Sequence, residues 1–180
     1  MAGLAIGALL VAGCGSAGSA NEETTGLENQ VCLRQDVPAD FHRQTSGDFT
    51  PQNLADLGPG PDQRLRHLAG AGLRGGHFAY WKQAVGSPPF DPPLDIICQV
   101  LEFDSEAHAA AFVLAIQPRP SDLVTTALMW LPQGSQTVFE QPALFLPEAR
   151  AFAIRAEDSQ TSVDISAVVL PHGRYVRTVY

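Results

Sequence analysis

The stretch LDIICQVLEFDSEAHAAAFVLAIQ, residues 94–117, decides the fold. Over residues 94–103 Ile, Val, Leu and Phe fill nearly every position, so both faces of the segment need cover, as in a central strand of a sheet. Asp104-Ser105-Glu106 then supplies a cap and an acidic first turn, and EAHAAAFVLAIQ continues as a helix until Pro118. The alanines of that helix permit close approach to a sheet.

Working outward, residues 149–156 (ARAFAIRA) alternate large apolar and polar side chains and read as a strand. Residues 162–170 and 174–180 are two more strand-like runs joined by the turn sequence Pro171-His172-Gly173, which makes a hairpin. That hairpin puts Val163, Ile165, Ala167 and Val169 on one face, ready to pack on the helix. Upstream, HFAYWKQAV, residues 77–85, is rich in aromatic and branched residues and suits a strand, whereas GSPPFDPP, with four prolines in eight residues, must be a loop. Thr50-Pro51 is a helix-start signal, and PDQRLRHL, residues 61–68, forms a second short helix closed by the glycines of AGAGLRGG. VPADF, residues 37–41, reads as a short extended entry. Residues 123–131 fit strand or helix, as do 134–146. The sum is an α+β fold, an antiparallel twisted sheet with helices packed on one face, in which the middle and terminal strands form halves of one sheet.

This order, carried by ICQVLEFDSEAHAAAF (97–112) and VVLPHGRYVRTVY (168–180), is similar to lipid-anchored extracytoplasmic domains of the Mog1/PsbP-like kind. The resemblance implies a twisted antiparallel sheet packed on helices, in a class where many members have no enzymatic activity.

The beginning of the chain concerns address rather than fold. Residues 1–13, MAGLAIGALLVAG, are uncharged and apolar, too short for the roughly 20 residues that span a bilayer and within the range of a signal-peptide core. At their end Val11-Ala12-Gly13-Cys14 resembles the lipobox of bacterial lipoproteins, which implies cleavage before Cys14 and a diacylglyceryl group on its thiol. Signal peptides normally begin with Lys or Arg and none precedes Cys14, so the true start is expected upstream of Met1. Residues 14–30 then read as lipidated cysteine and flexible tether, spanning roughly 20–24 Å root-mean-square, and residues 31–180 as a single α+β domain. With Cys14 lipidated, Cys32 and Cys98 remain as an even pair in an oxidising compartment. A bridge between them is the favoured reading, against two buried free thiols.

Composition removes some functions. The formal net charge of -8 falls entirely after Cys14, and the eleven basic residues, ten of them Arg, are scattered, which opposes nucleic-acid binding. Gly70-Ala71-Gly72-Leu73-Arg74-Gly75 matches the dinucleotide-binding pattern G-x-G-x-x-G, but a helix precedes it and a strand follows, the reverse of what a phosphate site needs. Five scattered histidines lack metal-ligand spacing, His42, His67 and His77 being the nearest to a set. No G-x-S-x-G elbow occurs. Helix capping accounts for Asp104 and Glu106 beside Glu102 without catalysis.

No catalytic residue, metal or cofactor is therefore assigned. Tyr80, Trp81 and Trp130 are the candidate ligand-binding residues, since apolar pockets with a few polar groups recur at binding sites. The leading functional reading is a lipid-anchored envelope protein with a non-enzymatic binding or accessory domain. Its partners are the membrane through the anchor and an envelope protein or small apolar ligand. The alternatives are an exported hydrolase with a dispersed active site and a carrier of an apolar ligand between sheet and helix.

Overall fold

A computed structural model describes residues 26–56, 60–84, 94–116, 135–143, 147–157 and 162–180. Seven strands form one antiparallel sheet: β1 (Phe41–Phe49), β2 (Leu73–Gln83), β3 (Asp95–Phe103), β4 (Ser135–Gln141), β5 (Arg150–Glu157), β6 (Ser162–His172) and β7 (Tyr175–Val179). Their order is β1-β2-β3-β7-β6-β5-β4, two meanders that meet where β3 pairs with β7. The two halves expected from the sequence thus join into one sheet, with β3 (Asp95–Phe103) an interior strand at the junction.

The helices α1 (Pro51–Asp56), α2 (Pro61–Gly70) and α3 (Glu106–Ala115) lie on one face. Thr50 caps α1, its hydroxyl accepting from the Asn53 amide at 3.1 Å, and Pro51 opens the helix. Ser105 caps α3 by accepting from the His108 amide at 3.2 Å. At the other end of α3, the Arg150 guanidinium on β5 donates to the carbonyls of Val113 (3.0 Å) and Ile116 and also pairs with Glu140 at 2.8 Å. A cation on the C-terminal carbonyls fastens the helix to the second meander.

Phe103, Phe112, Phe152, Leu54, Leu68, Leu101, Ile154 and Val176 fill the space between these helices and the sheet, with Ala167 and Val169 from β6. Val163 and Ile165 pack at its margin, as the alternation of β6 predicts. An apolar carrier would have to open this filled interface.

The opposite face carries a second, smaller cluster over β1, β2, β3 and β7 alone. Val31, Val37, Phe41, Ala79, Trp81, Cys98 and Val100 form it, with Leu27, Cys32, Ile96, Tyr175 and Val179 alongside. Its lid is the N-terminal segment, with two 3-10 turns at Leu27–Asn29 and Arg34–Asp36. Leu27, in the first of these turns, packs alongside the cluster. Cys32 and Cys98 are bonded, with their Cα atoms 5.7 Å apart, so the lid is cross-linked to the central strand.

Three strand assignments differ from the sequence reading. Residues 41–49 form an edge strand whose interior side chains are mostly exposed, so no apolar periodicity marks it. β2 starts at Leu73 rather than His77. Gly75 and Gly76 lie inside it, where a Cβ on Gly76 would sit 2.5 Å from the Val100 carbonyl oxygen of the neighbouring strand. Finally, β6 extends through Pro171 and His172, and the turn falls at Gly173 (φ 55°), one of the positions that favours glycine.

Candidate functional site

On the face away from the helices, cross-strand pairing places Trp81 between Arg43 of β1 and Ile96 of β3. The β1–β2 register shifts between Arg43 and Thr45, so a bulge lies beside this position. Such irregularities re-aim side chains near functional surfaces. Trp81 is only 3% exposed, because the N-terminal segment covers it. Two guanidiniums approach its ring, with Cζ of Arg34 at 6.0 Å and of Arg43 at 5.9 Å from the centroid, within cation–π range.

The two arginines are held differently. Arg34 donates to the carbonyls of Val37 (3.0 Å), Pro38 (3.0 Å) and Ala39 (2.8 Å), which fix its guanidinium without neutralising it. Arg43 is exposed. Among the described residues, no carboxylate lies within ion-pair distance of either. Leu33, Arg34, Phe41, His42, Arg43 and Trp81 line a solvent-open cavity of about 300 Å³. Pairing of His42 with Lys82 puts its side chain on the other face, so its imidazole is not among the groove's donors. The Trp81 Nε1 is buried with no hydrogen-bond acceptor among the described residues. An orphaned donor of this kind costs about 1–3 kcal/mol.

Of the three candidate binding residues, only Trp81 lines this groove. Tyr80 is adjacent in β2 and therefore points to the helix face, where its hydroxyl donates to Asp95 at 3.1 Å. Burial, then the Asp95 charge, pushes its phenol up to about 12. A site with Tyr80 and Trp81 side by side is thus corrected: neighbours in a strand cannot share a face. Trp130 lies outside the described residues. Sequence reasoning missed Arg34, Arg43, Leu33 and Phe41, which only the pairing of β1 with β2 and the fold of the lid bring to Trp81.

A second groove opens at the strand-to-helix junction, lined by Arg74, Glu102, Phe103, Asp104 and Arg174. Here Glu102 pairs with Arg174 at 2.9 Å, and Asp104 is hydrogen-bonded to His108 one helical turn later. That bond holds the Asp104 carboxyl below the usual range. Gly72, at φ 78°, turns the chain so close that a Cβ there would collide with Asp104 and His108. An Asp–His pair can orient an imidazole, but the neighbouring Ser105 hydroxyl is occupied in capping α3. Glu102, Asp104 and Glu106 do not form a carboxylate pair; each of the first two has a basic partner.

The other histidines do not converge. His77 is buried on the lid face, 2.6 Å from Asp48, while His67 lies exposed in the last turn of α2. Among the described residues no group of three His, Cys, Asp or Glu could hold a metal. Gly70 ends a helix and Gly75 sits in a strand, in the order expected from the sequence and opposite to a dinucleotide site.

No family model and no curated protein sequence matches the chain. Among solved structures it is similar to the extracellular domain of PknH from Mycobacterium tuberculosis, with 13% identity, 78% of this chain and 74% of that chain covered, and a TM-score of 0.45. A likeness at that level carries no argument about what the chain does. No described helix is long and apolar enough to cross a membrane.

Proposed function

We propose that the chain is a lipid-anchored extracytoplasmic protein whose α+β domain binds rather than catalyses, using the groove over Trp81. The bond between Cys32 and Cys98 is the observation that carries this reading. Structural disulfides persist in oxidising compartments and are rare where thiols are kept reduced. Once that pair is taken, Cys14 is the one cysteine left, at the end of the apolar run and in the lipobox-like context. Its thiol would carry the lipid, and two or more acyl chains would hold the domain stably on the membrane.

Metabolic labelling with radioactive palmitate tests the anchor. Incorporation that vanishes in Cys14→Ala is the expected result, and a native protein left unlabelled and uncleaved before Cys14 would overturn it. Intact mass after alkylation tests the compartment: the expected outcome without reductant is no alkylation of Cys32 or Cys98. Binding rather than turnover is supported by the geometry of the groove, where two guanidiniums flank the Trp81 ring. Robust hydrolysis by the full chain, lost on His108→Ala, would instead favour an exported hydrolase acting through the Asp104–His108 pair.

A further inference from the structure

We propose that the groove over Trp81 takes an oxyanion carried on an apolar body, the head of an amphiphile, gripped by Arg34 and Arg43. This deepens the binding reading above and rests on it only for where the groove sits in the cell.

Charge is the first argument. The chain has eight more acidic than basic residues, and against that excess two arginines gathered on one ring with no carboxylate beside them make a local cationic site. Elsewhere on the surface the excess is used: Arg155 meets Asp164 at 2.7 Å, Arg174 meets Glu102 at 2.9 Å and Arg150 meets Glu140 at 2.8 Å. At the groove two guanidiniums flank one ring, and no carboxylate of the described residues is within 4 Å of either. Guanidinium geometry matches carboxylate and phosphate oxygens, and a cation locked in place loses little entropy on binding. Arg34 is so locked by three carbonyls, whereas exposed Arg43 can close over an incoming group.

The second argument is the apolar part. Leu33, 37% exposed, forms an apolar rim on which an alkyl or acyl chain would lie, beside the edges of the nearly buried Phe41 and Trp81. The orphaned indole N–H belongs to the same ring, and buried polar groups left unpaired in this way call for a missing partner.

Place is the third. Leu27 packs on the cluster that contains Trp81, so the segment leading back to Cys14 departs from the groove's own face. On the tether reading of residues 14–30, the thirteen residues from Cys14 to Gly26 would span roughly 18–22 Å. Anchored at Cys14, the groove would have lipid headgroups as the nearest oxyanions. The same chemistry could come from a free amphiphile.

Calorimetric titration of the full chain, with hexyl phosphate, inorganic phosphate and hexyl glucoside as probes, separates charge from grease. Hexyl phosphate should bind, inorganic phosphate more weakly, and the neutral glucoside not at all. Arg43→Gln, checked for an unchanged circular dichroism spectrum, should weaken hexyl phosphate roughly 10- to 100-fold, the value of a charged hydrogen bond. In Trp130→Phe, which leaves Trp81 as the sole tryptophan, the emission should move with the same titration. Competition by phosphatidylglycerol vesicles but not phosphatidylcholine vesicles assigns the headgroup as source; binding without competition assigns a soluble amphiphile. No heat from hexyl phosphate at millimolar concentration, an equal response to the glucoside, or full affinity in Arg43→Gln overturns the site. Loss of the anchor shows separately, as absent Cys14 labelling with hexyl phosphate binding retained.

Discussion

The two halves of the sheet are built by different rules. The strands β1, β2, β3 and β7 are covered on both faces, by helices on one and by the cross-linked N-terminal segment on the other. The strands β4, β5 and β6 contribute to the helix-side core, but their opposite face is open, with Phe139 57% exposed, Val168 39% exposed and the Arg155–Asp164 pair in solvent. A face with many apolar groups buries itself and needs no staple, whereas the seven buried residues of the lid cluster hold a short segment without a regular helix. The difference teaches that the disulfide stands where packing alone is thin. It also separates two uses of charge: Arg155 is paired on the open face, whereas Arg34 and Arg43 meet the Trp81 ring with no described carboxylate within ion-pair distance.

The largest expected effect comes from the shared core. Phe152→Ala, on the covered face of the open half, should destabilise by about 3–5 kcal/mol in denaturant unfolding. Phe139→Ala, one strand over and pointing the other way, should cost less than about 0.5 kcal/mol. Similar losses at both positions would break the one-sided description of this half. Next in size, Cys32→Ser with Cys98→Ser should lose about 2–4 kcal/mol, because the bridge closes a loop with sequence separation 66. Hydrogen exchange sharpens the contrast: amides of residues 27–37 should lose protection while those of β5 and β6 keep theirs. Gly76→Ala comes third, at about 1–3 kcal/mol, since the methyl group would press on the Val100 carbonyl in the doubly covered half.

The smallest effect lies on the open face. The hydrogen bond from Arg155 holds Asp164 below its ordinary value. The stability this contributes is fully present above the unfolded value, about pH 4, and is lost as pH falls through the lower folded one. Both side chains are solvent-screened, so Asp164→Asn should change stability at neutral pH by less than about 0.5 kcal/mol, and its acid unfolding should begin at nearly the same pH as that of the parent chain. A large shift would mean that this face is covered in solution.

The same contrast explains what could be read from the residues. β3 is buried on both sides and announces itself as an unbroken apolar run; β5 and β6 are covered on one side and alternate; β1, an edge strand with exposed polar side chains, carries neither signal. The cap at Thr50 was legible, and that of α3 to within Asp104-Ser105-Glu106 though it is Ser105 that caps, because capping is a local hydrogen bond. The groove was legible only through Trp81. Arg34 and Arg43 come to it through a 3-10 turn and a bulged strand pairing, contacts between segments about 40 residues apart in the chain, which local pattern cannot encode. Tyr80 was misplaced for the opposite reason: a period of two puts sequence neighbours in a strand on opposite faces.

The Cys32–Cys98 bond also sets how the molecule would respond to being pulled. Tension entering from the N-terminal side passes at Cys32 straight into β3, leaving β1, α1, α2 and β2 inside a closed covalent circuit that bears no load. If the other grip is the carboxyl end, force leaves through Val179, the register partner of Cys98, so β7 would be peeled off one rung at a time rather than sheared along its length. A domain wired in this manner yields at low force, yet more than a third of its chain stays inextensible until the bond is reduced.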